Sequence, residues 1–125
     1  MASTPAGGIG LSICYDLRFP ELYRDLAARG ARFLTVPSAF AVRTGRDHWE
    51  PLLRARAIEN QAYVVGVNRV GSGGGLDYSG DSAIIDPLGE VLATGAGVET
   101  VLLADLDAAH VASTRDHFRF LQDRR

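Results

Sequence analysis

The sequence predicts an α/β fold in which helices cover one face of a mixed sheet, and three observations carry that prediction. In the first half, apolar stretches of strand length alternate with amphipathic stretches of helix length, as in strand–helix–strand units. In the second half, strand-like stretches follow one another through turns bearing glycine and proline, as in antiparallel pairing. The length, 125 residues of which 46% are hydrophobic, suits one domain around one core.

Residues 1–7 (MASTPAG) are small and polar and are expected to be a disordered leader ahead of a single domain over 8–125. From Gly8 to Cys14 apolar and small residues alternate at period two, predicting a strand that ends at a reactive residue type. Pro20 suits the first turn of a helix, and Leu22, Tyr23, Leu26 and Ala27 recur at helical spacing as far as Gly30. Ala31 to Val36 reads as a second, buried strand. Asp47 with Glu50 three residues later has capping-box spacing, so a helix is expected to open there with Pro51 in its first turn. Its buried stripe is predicted as Trp49, Leu52, Leu53, Ala55, Ile58 and Ala62, with Arg54, Arg56 and Glu59 outside it.

Tyr63 to Val70 predicts a third strand and Gly71 to Gly75 a flexible connection. Asp81 to Asp86, Glu90 to Ala93 and Glu99 to Leu106 read as three more strands, with Pro87-Leu88-Gly89 turning a hairpin. A helix is expected from Asp107 to Leu121. Two helices and a tail cannot cover both sides of such a sheet. The pattern therefore implies a missing layer, either another chain or absent sequence.

The formal net charge of −2 argues against a nucleic-acid partner. No apolar run approaches the roughly 18 residues needed to span a bilayer, so no membrane association is expected. The first residues lack the basic region and apolar block of a secretory signal. One cysteine, Cys14, excludes a disulfide within the chain and fits a reducing compartment, so a cytoplasmic location is expected. All 13 basic residues are arginine. A mechanism that requires a lysine amine cannot be completed by this chain alone.

A lone cysteine is most often a small buried hydrophobe. Cys14, however, ends an apolar strand and precedes a polar turn into a helix, where a nucleophile is exposed and backbone N–H groups can meet a developing oxyanion. Arg18 can hold an anionic substrate group or form a salt bridge to Asp16 or Glu21. Glu59 beside Arg56 reads as a structural ion pair. His48, His110 and His117 read as structural, and His110 with His117 lacks a third ligand for zinc. Trp49 reads as a core anchor. Gly71 to Gly75 lacks the residues of a phosphate loop, and without a second cysteine a thiol redox cycle has no resolving partner.

Cys14-Tyr15-Asp16-Leu17-Arg18-Phe19-Pro20-Glu21-Leu22 resembles the nucleophile motif of the nitrilase superfamily of carbon–nitrogen hydrolases. Thr44 to Glu50 with Leu53 to Gln61 resembles the block downstream of that cysteine in the amidase branch. Gly80 to Val91 resembles the family's hairpin, and Arg115 to Arg125 its closing segment. The resemblance runs from Gly8 to the end in the family's order. It implies half of an α-β-β-α sandwich and hydrolysis of a non-peptide C–N bond through a thioester, without cofactor or metal. It implies Cys14 as nucleophile, the Tyr15 backbone N–H in the oxyanion hole, and Ser38, Ala39 and Phe40 at the substrate, beside Arg18 if its fork takes the anionic role. The partners implied are a small-molecule amide and either a second copy or a missing N-terminal half.

The family also uses a Glu base and a Lys that precede the cysteine, and neither residue type occurs before Cys14. A positioned base is worth about 10²–10⁴ in rate and an oxyanion donor about 10²–10³, so losing both costs on the order of 10⁴–10⁷. The isolated chain is expected to be inactive or nearly so as an amidase. The alternative is a catalytically silent truncated domain that serves as a dimerising or structural module.

Overall fold

The computed structural model describes residues 1–125. Strand β1 (Ala2–Thr4) pairs antiparallel with β2 (Gly7–Leu11), which lies parallel to β3 (Ala31–Ser38); β3 lies parallel to β4 (Tyr63–Asn68). Strand β4 then pairs antiparallel with β6 (Leu76–Ile85), which also pairs with β5 (Val70–Gly73) and β7 (Val91–Ala96). The result is a mixed, seven-stranded sheet. Helix α1 (Pro20–Ala28) joins β2 to β3 and α2 (Val42–Asn60) joins β3 to β4. Two crossovers stepping the same way across a sheet put both helices on the same face, given the fixed hand of such connections.

Alternation along the strands then sorts the side chains. Leu34, Val36, Val64, Ala83 and Ile85 face the helices and pack with Tyr23 and Leu26 of α1 and Trp49, Leu53 and Ala57 of α2. Gly66 lets α2 come close: a Cβ there would lie 2.6 Å from Leu53 Cδ1 and 3.0 Å from the Trp49 ring. The opposite face carries Phe33 and Tyr63, which join Val111 of α3 (Ala108–His117) in a small second cluster with Ile9, Leu106 and Ala108 at its edge. Helix α3 thus lies across the sheet from α1 and α2 and covers only one end. Beyond it Leu11 and Val67 remain 55% exposed, and a depression stays open between Ile9, Thr35 and Val65.

Helix α3 is held by polar ties. Asp107 caps its start by accepting from the Ala109 amide at 2.8 Å. Arg115 donates to the carbonyls of Ala31, Asn60 and Gln61, closing the C-terminus of α2 with a cation where the helix dipole favours one. Gln61, left-handed at φ 46°, donates in return to the Thr114 and Phe118 carbonyls. Burial, with Arg32 nearby, pulls the Arg115 guanidinium below its ordinary pKa.

Several expectations change. Residues 1–7 do not form a disordered leader, because Ala2–Thr4 pair with Gly7–Ile9 as an edge strand. Helix α2 begins at Val42, ahead of Asp47, and encloses Pro51 in its interior. Its start is anchored by tertiary contacts: Phe40 packs on Trp49 at 5.1 Å between ring centroids, and the Phe40 amide donates to Asn68 Oδ1 at 2.7 Å. Arg56 lies inside the buried stripe, whereas Ile58 is 40% exposed. The Gly71–Gly75 stretch is largely β5 and its turn. Gly74 and Gly75, both at positive φ, make the two-residue connection whose twist suits a hairpin. Residues 99–106 form no strand, although Val101 and Leu103 (82% and 86% exposed) alternate with half-buried Leu102 and Ala104.

No helix is long and apolar enough to cross a membrane. Gly66→Ala is expected to lower stability by about 1–3 kcal/mol through overpacking against Leu53 and Trp49. Gly45→Ala, whose Cβ would meet only ordinary contacts at 3.6 Å or more, is expected to raise it by up to about 1 kcal/mol. Urea unfolding of the two variants checks both signs.

Candidate functional site

Strand β2 delivers the chain to Ser12, whose amide and hydroxyl both donate to the Thr35 carbonyl, at 3.1 and 2.9 Å. With its one hydroxyl proton so used, Ser12 accepts from the Tyr23 hydroxyl at 2.7 Å. Burial pushes the Tyr23 phenol above its ordinary pKa, the Ser12 hydrogen bond working against that shift, and the protonated form is the one this contact needs. The chain then enters a short 3-10 turn over Cys14–Arg18.

Cys14 itself sits at φ 46°, in the left-handed region. For a non-glycine residue this costs of order 1–3 kcal/mol and persists only where the surroundings over-determine it. They do so here. The Asp16 carboxylate accepts from the Ile13 amide at 2.9 Å, and the Asp16 amide donates to the Ile13 carbonyl at 3.0 Å. The Leu17 side chain is fully buried in the core, and the Leu17 carbonyl accepts two bonds from Arg56, from Nε at 3.1 Å and Nη2 at 2.7 Å.

Cys14 is a free, partly buried thiol, and with Ile13, Pro37, Ser38 and Ala39 it lines an open depression at the ends of β2 and β3. The structure therefore brings Ser38 and Ala39 beside Cys14. Phe40 is not in that depression: it is 5% exposed and faces Trp49. What Phe40 does reach is Arg18, whose guanidinium lies 5.1 Å from the Phe40 ring and 5.6 Å from the Tyr15 ring. Tyr15 turns its side chain outward, 65% exposed and edge-on to Phe19, while its backbone stays in the turn next to Cys14.

Arg18 forms no ion pair with Asp16 or Glu21. Its Nη1 donates instead to His48 Nδ1 at 3.1 Å; a guanidinium has nothing to accept with, so Nδ1 is unprotonated in this contact. Arg18 is left as a cation without a carboxylate partner on the exposed side of the elbow. Glu59 is the structural partner expected, at 2.9 Å from Arg56 and 3.2 Å from Arg24. His110 lies 3.5 Å from Asp86, and no group of three His, Cys, Asp or Glu side chains is placed to hold a metal.

Ser12, Tyr23 and Arg56 support this elbow, a role that the sequence reading does not give them, and Asn68 holds the Phe40 amide at the start of α2. For Arg56 a signal existed. Trp49, Leu53, Arg56 and Asn60 are spaced four, three and four apart, which places Arg56 and Asn60 on the buried stripe of the helix.

Comparison with known proteins identifies the domain. The profile of the carbon-nitrogen hydrolase family matches residues 1–116. Deaminated glutathione amidase from Homo sapiens is 48% identical over 124 residues, covering 98% of this chain and 38% of the relative. The crystal structure of the NitFhit protein of C. elegans superposes with a TM-score of 0.94 at 44% identity, covering 98% of this chain and 30% of that one. A mutant of the amidase from Nesterenkonia sp. AN1, with the acetamide moiety of fluoroacetamide covalently added at its active-site cysteine, superposes with a TM-score of 0.82 at 35% identity. It covers 98% of this chain and 43% of that one. The chain belongs to the carbon–nitrogen hydrolase family, and it spans less than half the length of the relatives it matches.

Backbone strain at the elbow has a direct signature. Cys14→Gly is expected to be more stable than Cys14→Ala by about 1 kcal/mol, because glycine alone occupies a left-handed position without steric cost. Equal stability of the two in thermal or urea unfolding would show that the elbow carries no strain.

Proposed function

Starting from membership of the carbon–nitrogen hydrolase family, we propose that Cys14 is the nucleophile of a cysteine-dependent hydrolase acting on non-peptide amide bonds in small molecules. The observation that carries this is the left-handed Cys14 at a strand-to-helix elbow, its thiol facing a depression shared with Ser38 and Ala39. Sγ attacks the amide carbonyl, and the backbone N–H of Tyr15 donates to the oxyanion that forms. The tetrahedral adduct expels ammonia or an amine once the nitrogen has been protonated, leaving a thioester on Cys14. Water then cleaves the thioester, releasing the carboxylic acid and the thiol.

Arg18, held between two aromatic rings and free of any carboxylate, is the group for an anionic end of the substrate. That preference fits a small ω-amide or deaminated peptide, the class to which the relatives' name points. The proton transfers require a base, and the family's Glu and Lys have no counterpart ahead of Cys14. The chain therefore carries the nucleophile and relies on an N-terminal half, seated on the uncovered sheet face, for its activation. A free thiol of this kind works in a reducing compartment, and the cytoplasm is the proposed location.

A second function, that of a silent dimerising module, is favoured by one observation: the same uncovered face, with Leu11, Val67 and Val101 exposed, suits a second copy as well as a missing half. Ammonia release from small carboxamides separates the two. The chain alone is expected to match a Cys14→Ala blank, since about 10⁴–10⁷ in rate is missing. Adding the separately produced N-terminal portion of an amidase relative is expected to give release that Cys14→Ala abolishes. Enzyme-like turnover by the unmixed chain would overturn the division of labour, and no release from the mixture would favour the silent module.

A further inference from the structure

We propose that Arg56 is the positioning residue of the Cys14 elbow, its guanidinium holding the Leu17 carbonyl so that Cys14 keeps its left-handed conformation. The proposal deepens the role assigned to Cys14 above and rests on it for its meaning, but its physical content is independent of turnover.

Arg56 lies on α2 and is 4% exposed. An arginine serving only as an ion-pair partner would need only its carboxylate. Arg56 directs one terminal nitrogen, Nη1, to Glu59 and aims the other two, Nε and Nη2, at the single carbonyl of Leu17. That carbonyl lies in the last part of a five-residue turn, inside the protein, where an acceptor without a donor is costly. Nothing on the turn itself supplies the donor; α2 does, from 39 residues away.

The guanidinium is in turn fixed by two further groups, the Glu59 carboxylate and the Tyr23 ring. Glu59 shares its carboxylate between Arg56 and Arg24 of α1, so the buried charge is compensated. Arg56 Cζ stacks 5.3 Å from the centre of the Tyr23 ring, and the Tyr23 hydroxyl reaches Ser12. One chain of contacts therefore grips the elbow at both ends, Ser12 two residues before Cys14 and Leu17 three residues after it. The planar fork is what allows two bonds to one oxygen while a third nitrogen faces a carboxylate, and a lysine ammonium reproduces only part of this.

The test compares the wild-type chain with Arg56→Met and Arg56→Lys by NMR. It reads amide hydrogen exchange and, at Cys14, the HN–Hα coupling together with the intraresidue HN–Hα NOE, which is strong only at positive φ. In Arg56→Met the Asp16 and Phe19 amides are expected to exchange at least about tenfold faster while the β3–β4 ladder holds its rates. The Cys14 coupling is expected to leave its left-handed value, and Arg56→Lys to restore part of both. Unchanged elbow exchange and coupling in Arg56→Met would overturn the proposal, as would acceleration of the whole sheet by the same factor. If Arg56→Met does not fold, Arg56→Lys decides: acceleration confined to residues 13–19 supports the proposal and none overturns it. A failure to release ammonia in any assay would remove the amidase function yet leave these readouts untouched.

Discussion

The backbone at Cys14 is bent into a conformation that only its neighbours can maintain, and the rest of the molecule is arranged to supply them. Ser12 is pinned to β3 and to Tyr23, Asp16 closes the turn on Ile13, Leu17 is buried, and Arg56 reaches over from α2 to the Leu17 carbonyl. Each tie is an ordinary hydrogen bond or an ordinary buried leucine, worth about 0.5–3 kcal/mol apiece. Together they exceed the cost of one left-handed residue, and the elbow is therefore held at a single geometry. The strain lies at the place where the chain's one thiol meets solvent.

Geometry and activation are thereby separated. The helix-covered face of the sheet sets where the thiol sits, through β2, β3, α1 and α2, all of which lie within these 125 residues. On the proposed reading the family's base and lysine come from a second layer, for which the sheet face that α3 leaves mostly open is the proposed seat. Its apolar side chains have the alternation of a sandwich interior without the second sheet.

Much of this was legible in the sequence. The order of β2, α1, β3, α2 and β4 follows from period-two and helical spacing, and the family resemblance around Cys14 is readable in the same way. What escaped was decided by tertiary contact. The start of α2 is set by Phe40 against Trp49 and by Asn68, not by the capping spacing at Asp47. β1 exists because β2 offers an edge to a segment with little strand propensity of its own. A glycine-rich stretch became a hairpin because two positive-φ glycines suit a tight turn. At the site, adjacency to Ser38 and Ala39 does not reveal that the Phe40 side chain turns inward onto Trp49 where the helix begins. Arg56 carries a charge that suits a solvent face, but its spacing to Trp49 and Leu53 places it on the buried stripe.

On the proposed reading Cys14 is a presented nucleophile whose base and amine come from outside these 125 residues. The most direct measurement is the intact mass of the unmixed chain after incubation with p-nitrophenyl acetate or with acetamide. The ester's leaving group departs without protonation, so it asks only for a presented thiol; the amide asks for the missing base and amine as well. The account predicts a single acetyl group on the chain from the ester, absent in Cys14→Ala, and none from acetamide. Acetylation by acetamide, or no Cys14-dependent acetylation by the ester, would contradict it.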